Sequence, residues 1–261
     1  MDRLSLAFNK KGYNIHELSN LRFIEDSQEI IRNSGHSKIT SESYFDKKTL
    51  LIQKKLFLKS IHINILKSEE IFFKKILNIK SLDELSITSF FHLRAIKKNN
   101  RKINNFVGMH RETFYSEHKY TKHQINVSVP ILNYTKKNSM KVVEGTHKVP
   151  DKIIKIKKIN SYLSGIEKGS VKHKLGLPYN PKLIISGVDC QKAKRINCQP
   201  GKIIVFSAML IHGGGSNNTR NPRYSIDFAL IKKKFIKNKK IKDYHISYSK
   251  NKKYWIDIPK I

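Results

Sequence analysis

His110-Arg111-Glu112 sets an imidazole and a carboxylate two residues apart, and a second imidazole, His212, ends a long apolar run far downstream. Two imidazoles and one carboxylate can hold Fe(II) on one face and leave three coordination positions open. Arg223, eleven residues on (212 to 223), could bind a small dicarboxylate beside that metal. A lone His-x-Glu carries little weight, because Glu112 could instead pair with Arg111 or a nearby lysine. The second histidine, the arginine and their spacing are what turn it into a metal proposal.

Such a set works only if the chain brings it together. Residues 107–115 read as a strand, in which positions two apart share a face, so His110 and Glu112 project together and Arg111 points away. Pro200-Gly201 marks a turn, and the apolar run to His212 reads as a buried strand. A glycine- and asparagine-rich turn follows. It leads into an alternating strand in which Arg223, Ser225 and Asp227 share one face and Tyr224, Ile226 and Phe228 the other. Residues 124–132 alternate as well: Gln124, Asn126 and Ser128 against Ile125, Val127, Val129 and Ile131. On a sheet with a polar concave face that row would point inward and hydrogen-bond a cofactor or substrate. On an ordinary sheet it would face solvent, and the sequence leaves both open.

These motifs resemble the phytanoyl-CoA hydroxylase-like branch of the Fe(II)/2-oxoglutarate-dependent dioxygenases. That family carries His-x-Asp (sometimes Glu), a Pro-Gly strand ending in the distal histidine, an asparagine five residues later and an arginine eleven later. Here these are His110, Glu112, Pro200-Gly201, His212, Asn217 and Arg223. The family's Gly-Ser-His turn is matched loosely by Gly145-Thr146-His147, and its opening strand by residues 8–13. The resemblance covers roughly residues 85–230, and His-Arg-Glu-Thr-Phe-Tyr further resembles a bacterial subgroup found with carbohydrate biosynthesis genes. Glu112 departs from the commoner Asp but keeps a carboxylate, which disfavours the halogenase variant with its small residue there.

The resemblance implies a mainly β protein with flanking helices, a double-stranded β-helix (jelly roll, cupin-like). It implies Fe(II) on His110, Glu112 and His212, and 2-oxoglutarate with its far carboxylate on Arg223, assisted by Ser225 or Thr219. The reaction would consume molecular oxygen and hydroxylate a small molecule such as a sugar, releasing succinate and CO2. Desaturation or epimerisation by the same chemistry is the alternative outcome. A non-catalytic basic jelly roll that binds polyanions is the alternative class.

The chain has 261 residues and a formal net charge of +32. Such a charge suggests nucleic acid or an anionic surface. Yet lysine dominates arginine and is spread throughout, with the densest stretch at 232–242, which reads as a solvated tail. A nucleic-acid partner is not expected, although a basic rim would steer an anionic substrate. No apolar run is long enough to span a bilayer, and the start lacks a secretory core, so a cytoplasmic location is expected. Cys190 and Cys198 read as free thiols.

The expected layout is one domain over 1–261, with a mainly helical flank (1–80), a jelly-roll core (81–230) and a basic extension (231–261). Helices are expected at 17–31, 41–66 and 67–79, a strand at 86–96, and an insertion over the site opening at 150–198. His92 could face core or site; His118, His123, His147 and His173 read as surface residues.

Overall fold

The computed structural model describes residues 3–35, 47–96, 108–116, 118–158, 182–236 and 254–259. Helix α1 (Arg3–Lys11) precedes strand β1 (Tyr13–Glu17), and helices α2 (Arg22–Asn33), α3 (Lys47–Leu58), α4 (Ile61–Ser68) and α5 (Glu70–Leu77) follow. Strands β2 (Leu85–Thr88), β3 (His92–Ile96), β4 (Ile125–Leu132), β9 (Lys202–Ser207), β11 (Arg223–Lys232) and β12 (Trp255–Asp257) join β1 in a seven-stranded antiparallel sheet. Its order is β1-β9-β4-β11-β2-β12, with β3 also paired to β11. A smaller sheet has the order β10-β5-β8, from β5 (Lys141–Val143), β8 (Lys194–Arg195) and β10 (Ile211–Gly213). Strands β6 (Lys155–Lys158) and β7 (Lys182–Ser186) pair separately.

The large sheet has two chemically different faces. Val127, Val129 and Ile131 of β4, Ile203 and Val205 of β9, Leu93 and Ala95 of β3, and Tyr224, Ile226, Phe228 and Leu230 of β11 form one apolar layer. Helices α2–α5 cover it with Ile31, Leu56, Ile65, Leu66 and Phe73, each fully buried. Each such side chain contributes about 1.5–3 kcal/mol of burial free energy. The alternate positions face the small sheet. There Ile204 and Phe206 pack against Val142, Tyr134 and Met140, while β3, β4 and β11 present polar side chains instead. The row Gln124, Asn126 and Ser128 lies on this inner face and is buried.

Several expected elements are divided where side-chain hydrogen bonds overrule the apolar pattern. The run 202–212 is two strands. A turn at 208–210, closed by Leu210 N to Ser207 O (2.9 Å) and Met209 N to Ser207 Oγ (3.2 Å), moves the chain from the large sheet to the small one. The expected strand over 107–115 is, within its described part, an isolated bridge between His110 and His212 followed by a single 3-10 turn at Glu112–Phe114. The strand at 86–96 breaks into β2 and β3.

The first helical stretch opens as a strand: Leu18 N bonds Gly201 O (2.9 Å), and helix begins only at Arg22. Residues 8–13 are the end of α1 and the start of β1 rather than one strand. The described part of 41–66 is interrupted at Ser60, whose φ of 50° ends α3. The tail supplies β12, which pairs β2 and buries Trp255 completely. Residues 159–181, all of 97–105 and most of 232–242 lie outside the described residues.

Candidate active site

His110 and His212 exchange both backbone hydrogen bonds, N to O at 2.8 Å each way, which sets the two imidazoles side by side with ring centroids 4.4 Å apart. Each ring is fixed from behind. His110 Nδ1 lies 2.8 Å from Gly108 O, and His212 Nδ1 lies 2.9 Å from Leu210 O. A backbone carbonyl accepts only from N–H, so both Nδ1 atoms carry hydrogen, and Nε2 is the nitrogen each ring has left to face a metal. Tyr115 meets the His110 ring edge-on at 5.5 Å, and Phe206 meets His212 at 4.7 Å. The two histidines are 9% and 7% exposed.

Glu112 completes the cluster. Its backbone N bonds Ala208 O (3.0 Å), and its Oε1 lies 3.4 Å from His212 Nε2. One donor atom from each of His110, Glu112 and His212 falls within 4.8 Å of the others. Ligands about 2.0–2.2 Å from a metal at right angles would be about 3 Å apart, so a small inward closure suffices. Burial and the nearby His212 hold the His110 imidazole down to about 4. Burial would raise the Glu112 carboxyl. The hydrogen bond to His212 and the charges of His212, His110 and Arg94 outweigh it and bring the group to about 2. At neutral pH the cluster therefore has the protonation that a metal requires at these two groups, a neutral imidazole at His110 and an ionised carboxylate.

Asn126 Nδ2 donates to Glu112 Oε1 (3.3 Å), and Gln124 Nε2 donates to Asn126 Oδ1 (2.7 Å). The inward polar row thus orients the carboxylate. Further along the same face, Ser128 Oγ donates to Asp227 Oδ1 (2.7 Å), and Arg94 Nε donates to Asp227 Oδ2 (2.9 Å). Arg223 and Ser225 follow, both buried. The Arg223 guanidinium stacks 4.9 Å from the Tyr134 ring centre and donates Nη1 to Asn138 O. Its Nε has no partner, and among the described residues no carboxylate hydrogen-bonds it. A buried guanidinium without an anion is a costly arrangement, and a ligand carboxylate would complete it.

The structure brings His110, Glu112, His212 and Asn126 together and sets Arg223 beside Ser225 on the same inner face. Ser128 is engaged by Asp227. The Thr219 hydroxyl is 2.7 Å from Asn217 Oδ1 and 3.0 Å from Asn221 O, closing the turn before β11. Asn217 anchors the turn, donating Nδ2 to Ile96 O (3.2 Å) and Asn221 O (2.8 Å).

Glu112 does not pair with Arg111, whose fork reaches Thr146 O, Val149 O and Asp151. His147 is half-buried rather than a surface residue, packed so closely under Gly12 that a Cβ there would lie 2.5 Å from its Nδ1. Arg94, Tyr134 and Asn138 are additions that sequence reasoning missed. Only Arg94 carried a signal, the alternation of His92, Arg94 and Ile96 against Leu93 and Ala95.

No protein-family model and no curated protein matches the sequence. Solved structures do resemble the fold. EvdO2 from Micromonospora carbonacea var. aurantiaca is 12% identical, with 89% of this chain and 91% of that one covered and a TM-score of 0.61. The non-heme monooxygenase ThoJ, in its apo form, is 14% identical over 88% of this chain and 77% of that one, with a TM-score of 0.56. The non-heme alpha ketoglutarate dependent carbocyclase SnoK from nogalamycin biosynthesis is 10% identical over 89% and 84%, with a TM-score of 0.52. EvdO2 has also been solved complexed with 2-oxoglutarate. At these identities the likeness establishes the fold, a jelly roll of the cupin-like, double-stranded β-helix kind with helices on one side.

Proposed function

We propose that this protein is an Fe(II)/2-oxoglutarate-dependent oxygenase that hydroxylates a small molecule. The observation that carries the proposal is the convergence of His110, Glu112 and His212 within 4.8 Å, with both Nε2 atoms turned inward. Two imidazoles and a carboxylate on one face fit Fe(II) and leave room for a chelating cofactor and O2. Bound there, the metal and 2-oxoglutarate supply the oxidising chemistry: substrate C–H, O2 and 2-oxoglutarate become C–OH, succinate and CO2, one oxygen atom entering each of the two organic products.

The chain's own residues do the rest. His110 and His212 turn Nε2 toward the metal position by donating Nδ1–H to Gly108 O and Leu210 O. Asn126 holds Glu112 in place. Arg223, with Ser225 beside it, pairs with the far carboxylate of the cofactor in a bidentate manner that lysine would not reproduce. Phe206 and Tyr115 flank the histidines and exclude water.

Within this chemistry the spacing of His110-x-Glu112, His212, Asn217 and Arg223 supports the phytanoyl-CoA hydroxylase-like branch. The polar inner face of Ser128, Asp227 and Arg94 supports a polar substrate such as a sugar rather than an acyl chain. Excess lysine would steer an anionic substituent of it. No described helix is long and apolar enough to cross a membrane. The free Cys190 and Cys198 fit the cytoplasm.

The test is anaerobic Fe(II) binding and aerobic turnover. One Fe(II) per chain and slow succinate formation without substrate are expected, with both lost in His212→Ala. Unchanged turnover in that variant would remove the metal assignment. A polyanion-binding protein would show no iron-dependent consumption of 2-oxoglutarate.

A further inference from the structure

Between the two ligands of its own segment sits Arg111, a guanidinium with no exposed surface. Its Nη1 donates to Val149 O (2.8 Å) and Asp151 Oδ1 (2.7 Å), and its Nη2 donates to Thr146 O (2.6 Å). Those acceptors lie on a segment that begins at Gly145, with φ of 79°, and runs through a 3-10 turn at Thr146–Lys148 to the start of a second at Asp151–Ile153. The same turn holds the other ligand strand. Thr146 Oγ1 accepts from Ile211 N (2.9 Å), the residue before His212, and donates to Val143 O (2.7 Å). The turn itself is braced from behind, since Gly145 N bonds Lys11 O (2.9 Å) and His147 Nε2 lies 3.1 Å from Asn9 O.

His110 and Glu112 need such support because, among the described residues, no ladder provides it. In a strand, successive backbone bonds to a neighbour would fix both residues. Here the backbone contributes one isolated bridge at His110 and a single bond from Glu112 N to Ala208 O. We infer that Arg111 and the Gly145–Asp151 turn form one anchor that sets the spacing between the His110–Glu112 pair and His212. This makes Arg111 a positioning residue for the metal. The inference rests on the proposed metal reading of that triad. The guanidinium suits the task because three acceptors around one plane need a fork, whereas an ammonium is a point donor. Supporting contacts of this kind commonly change metal affinity about 10–100-fold.

The experiment titrates Co(II) anaerobically into the whole protein, following visible ligand-field absorbance, alongside thermal melts of the metal-free protein. Wild type should bind one Co(II), and His212→Ala should not. If wild type fails to bind, or His212→Ala binds equally well, the metal reading fails and this inference falls with it. Given binding, Arg111→Lys should weaken Co(II) affinity tenfold or more and change the absorbance pattern, measured well below its melting temperature. An Arg111 that merely braces the fold would give a lower melting temperature with wild-type affinity and spectrum, and that result overturns the inference. Should Arg111→Lys not fold, Thr146→Val carries the test by removing the hydroxyl under Ile211, while Thr146→Ser should restore wild-type binding. Equal affinity and spectrum in Thr146→Val and wild type would then overturn it.

Discussion

Arg223→Met removes a guanidinium and leaves an apolar stem of similar length over the Tyr134 ring. In the cofactor-free protein the guanidinium has one hydrogen bond, to Asn138 O, one stacking contact at 4.9 Å and an unpartnered Nε. Replacing a poorly compensated buried charge by an apolar side chain is often neutral or stabilising by about 1–4 kcal/mol. The melting temperature of the free variant should therefore equal or exceed that of wild type. With 2-oxoglutarate the sign reverses. Losing a buried charged pair costs roughly 2–5 kcal/mol, so the dissociation constant should rise roughly 30-fold to several thousand-fold. At a concentration one hundred times its dissociation constant, the cofactor adds about 2.7 kcal/mol to wild type; a hundredfold weaker variant gains about 0.4 kcal/mol. At roughly 2–4 °C per kcal/mol, that is a rise of about 5–10 °C against about 1 °C. The assay is a pair of anaerobic melts with Fe(II), with and without 2-oxoglutarate, plus a titration of the metal-to-ligand absorbance. Arg220, exposed in the turn before β11, is the control for charge alone, and Arg220→Met should behave as wild type. Equal stabilisation of Arg223→Met and wild type, or a larger loss in Arg220→Met, would refute the assignment.

Glu112→Ala should abolish hydroxylation, and Glu112→Asp should keep part of it, because the carboxylate survives one methylene shorter; steady-state succinate and product assays would show it, and full activity in Glu112→Ala would mean that another carboxylate is the ligand. Asn126→Ala should lower Fe(II) affinity about 10–100-fold by freeing the Glu112 carboxylate, as read by competition with a chelator; unchanged affinity would reduce the 3.3 Å contact to packing. His62, buried among Phe57, Phe91 and Phe228, is pushed by burial from 6.5 down to about 3. The unfolded chain therefore takes up a proton below pH 6.5 that the folded chain refuses until pH 3, and stability falls as pH drops through that window, by about 2 kcal/mol at pH 5. His62→Phe should flatten this part of the urea-denaturation profile between pH 7.5 and 5; parallel profiles would exclude the mechanism.

The cluster of His110, Glu112 and His212 was legible because its signal is chemical and local. His110 and Glu112 are two apart, and residues two apart share a side whenever the residue between them is extended. Arg111 has φ of −131° and ψ of 158°, so that single extended residue is enough. The reasoning failed only where it generalised from one residue to a strand. The turn at 208–210 was hidden for the opposite reason. Ala208, Met209 and Leu210 are as apolar as the strand before them, and the turn is made by Ser207, whose hydroxyl and carbonyl close it. Tyr134 and Asn138 lie between β4 and β5 in a segment without periodicity. Their meeting with Arg223 depends on the register of β4 against β11, which includes a shift between Tyr224 and Ser225 that no local pattern announces.

The net charge of +32 and the chemistry of the inner face are separate properties. Arg94 and Asp227 pair with each other, so their charges cancel locally. Glu112 faces His212 at 3.4 Å, whereas Arg223 is buried against a tyrosine with no carboxylate bonded to it among the described residues. A divalent cation placed at Glu112 and a dicarboxylate reaching from that cation to Arg223 would bring opposite charges to both ends while adding no net charge. The inner face would thus be neutral as a whole, loaded or empty, and the Arg223 guanidinium would gain its anionic partner on loading. A buried guanidinium without a counter-ion destabilises the free protein; a dianion anchored by the metal would relieve it. A polyanion bound to surface lysines would leave Arg223 unpaired, which is why the inner face, and not the composition, decides between the two readings.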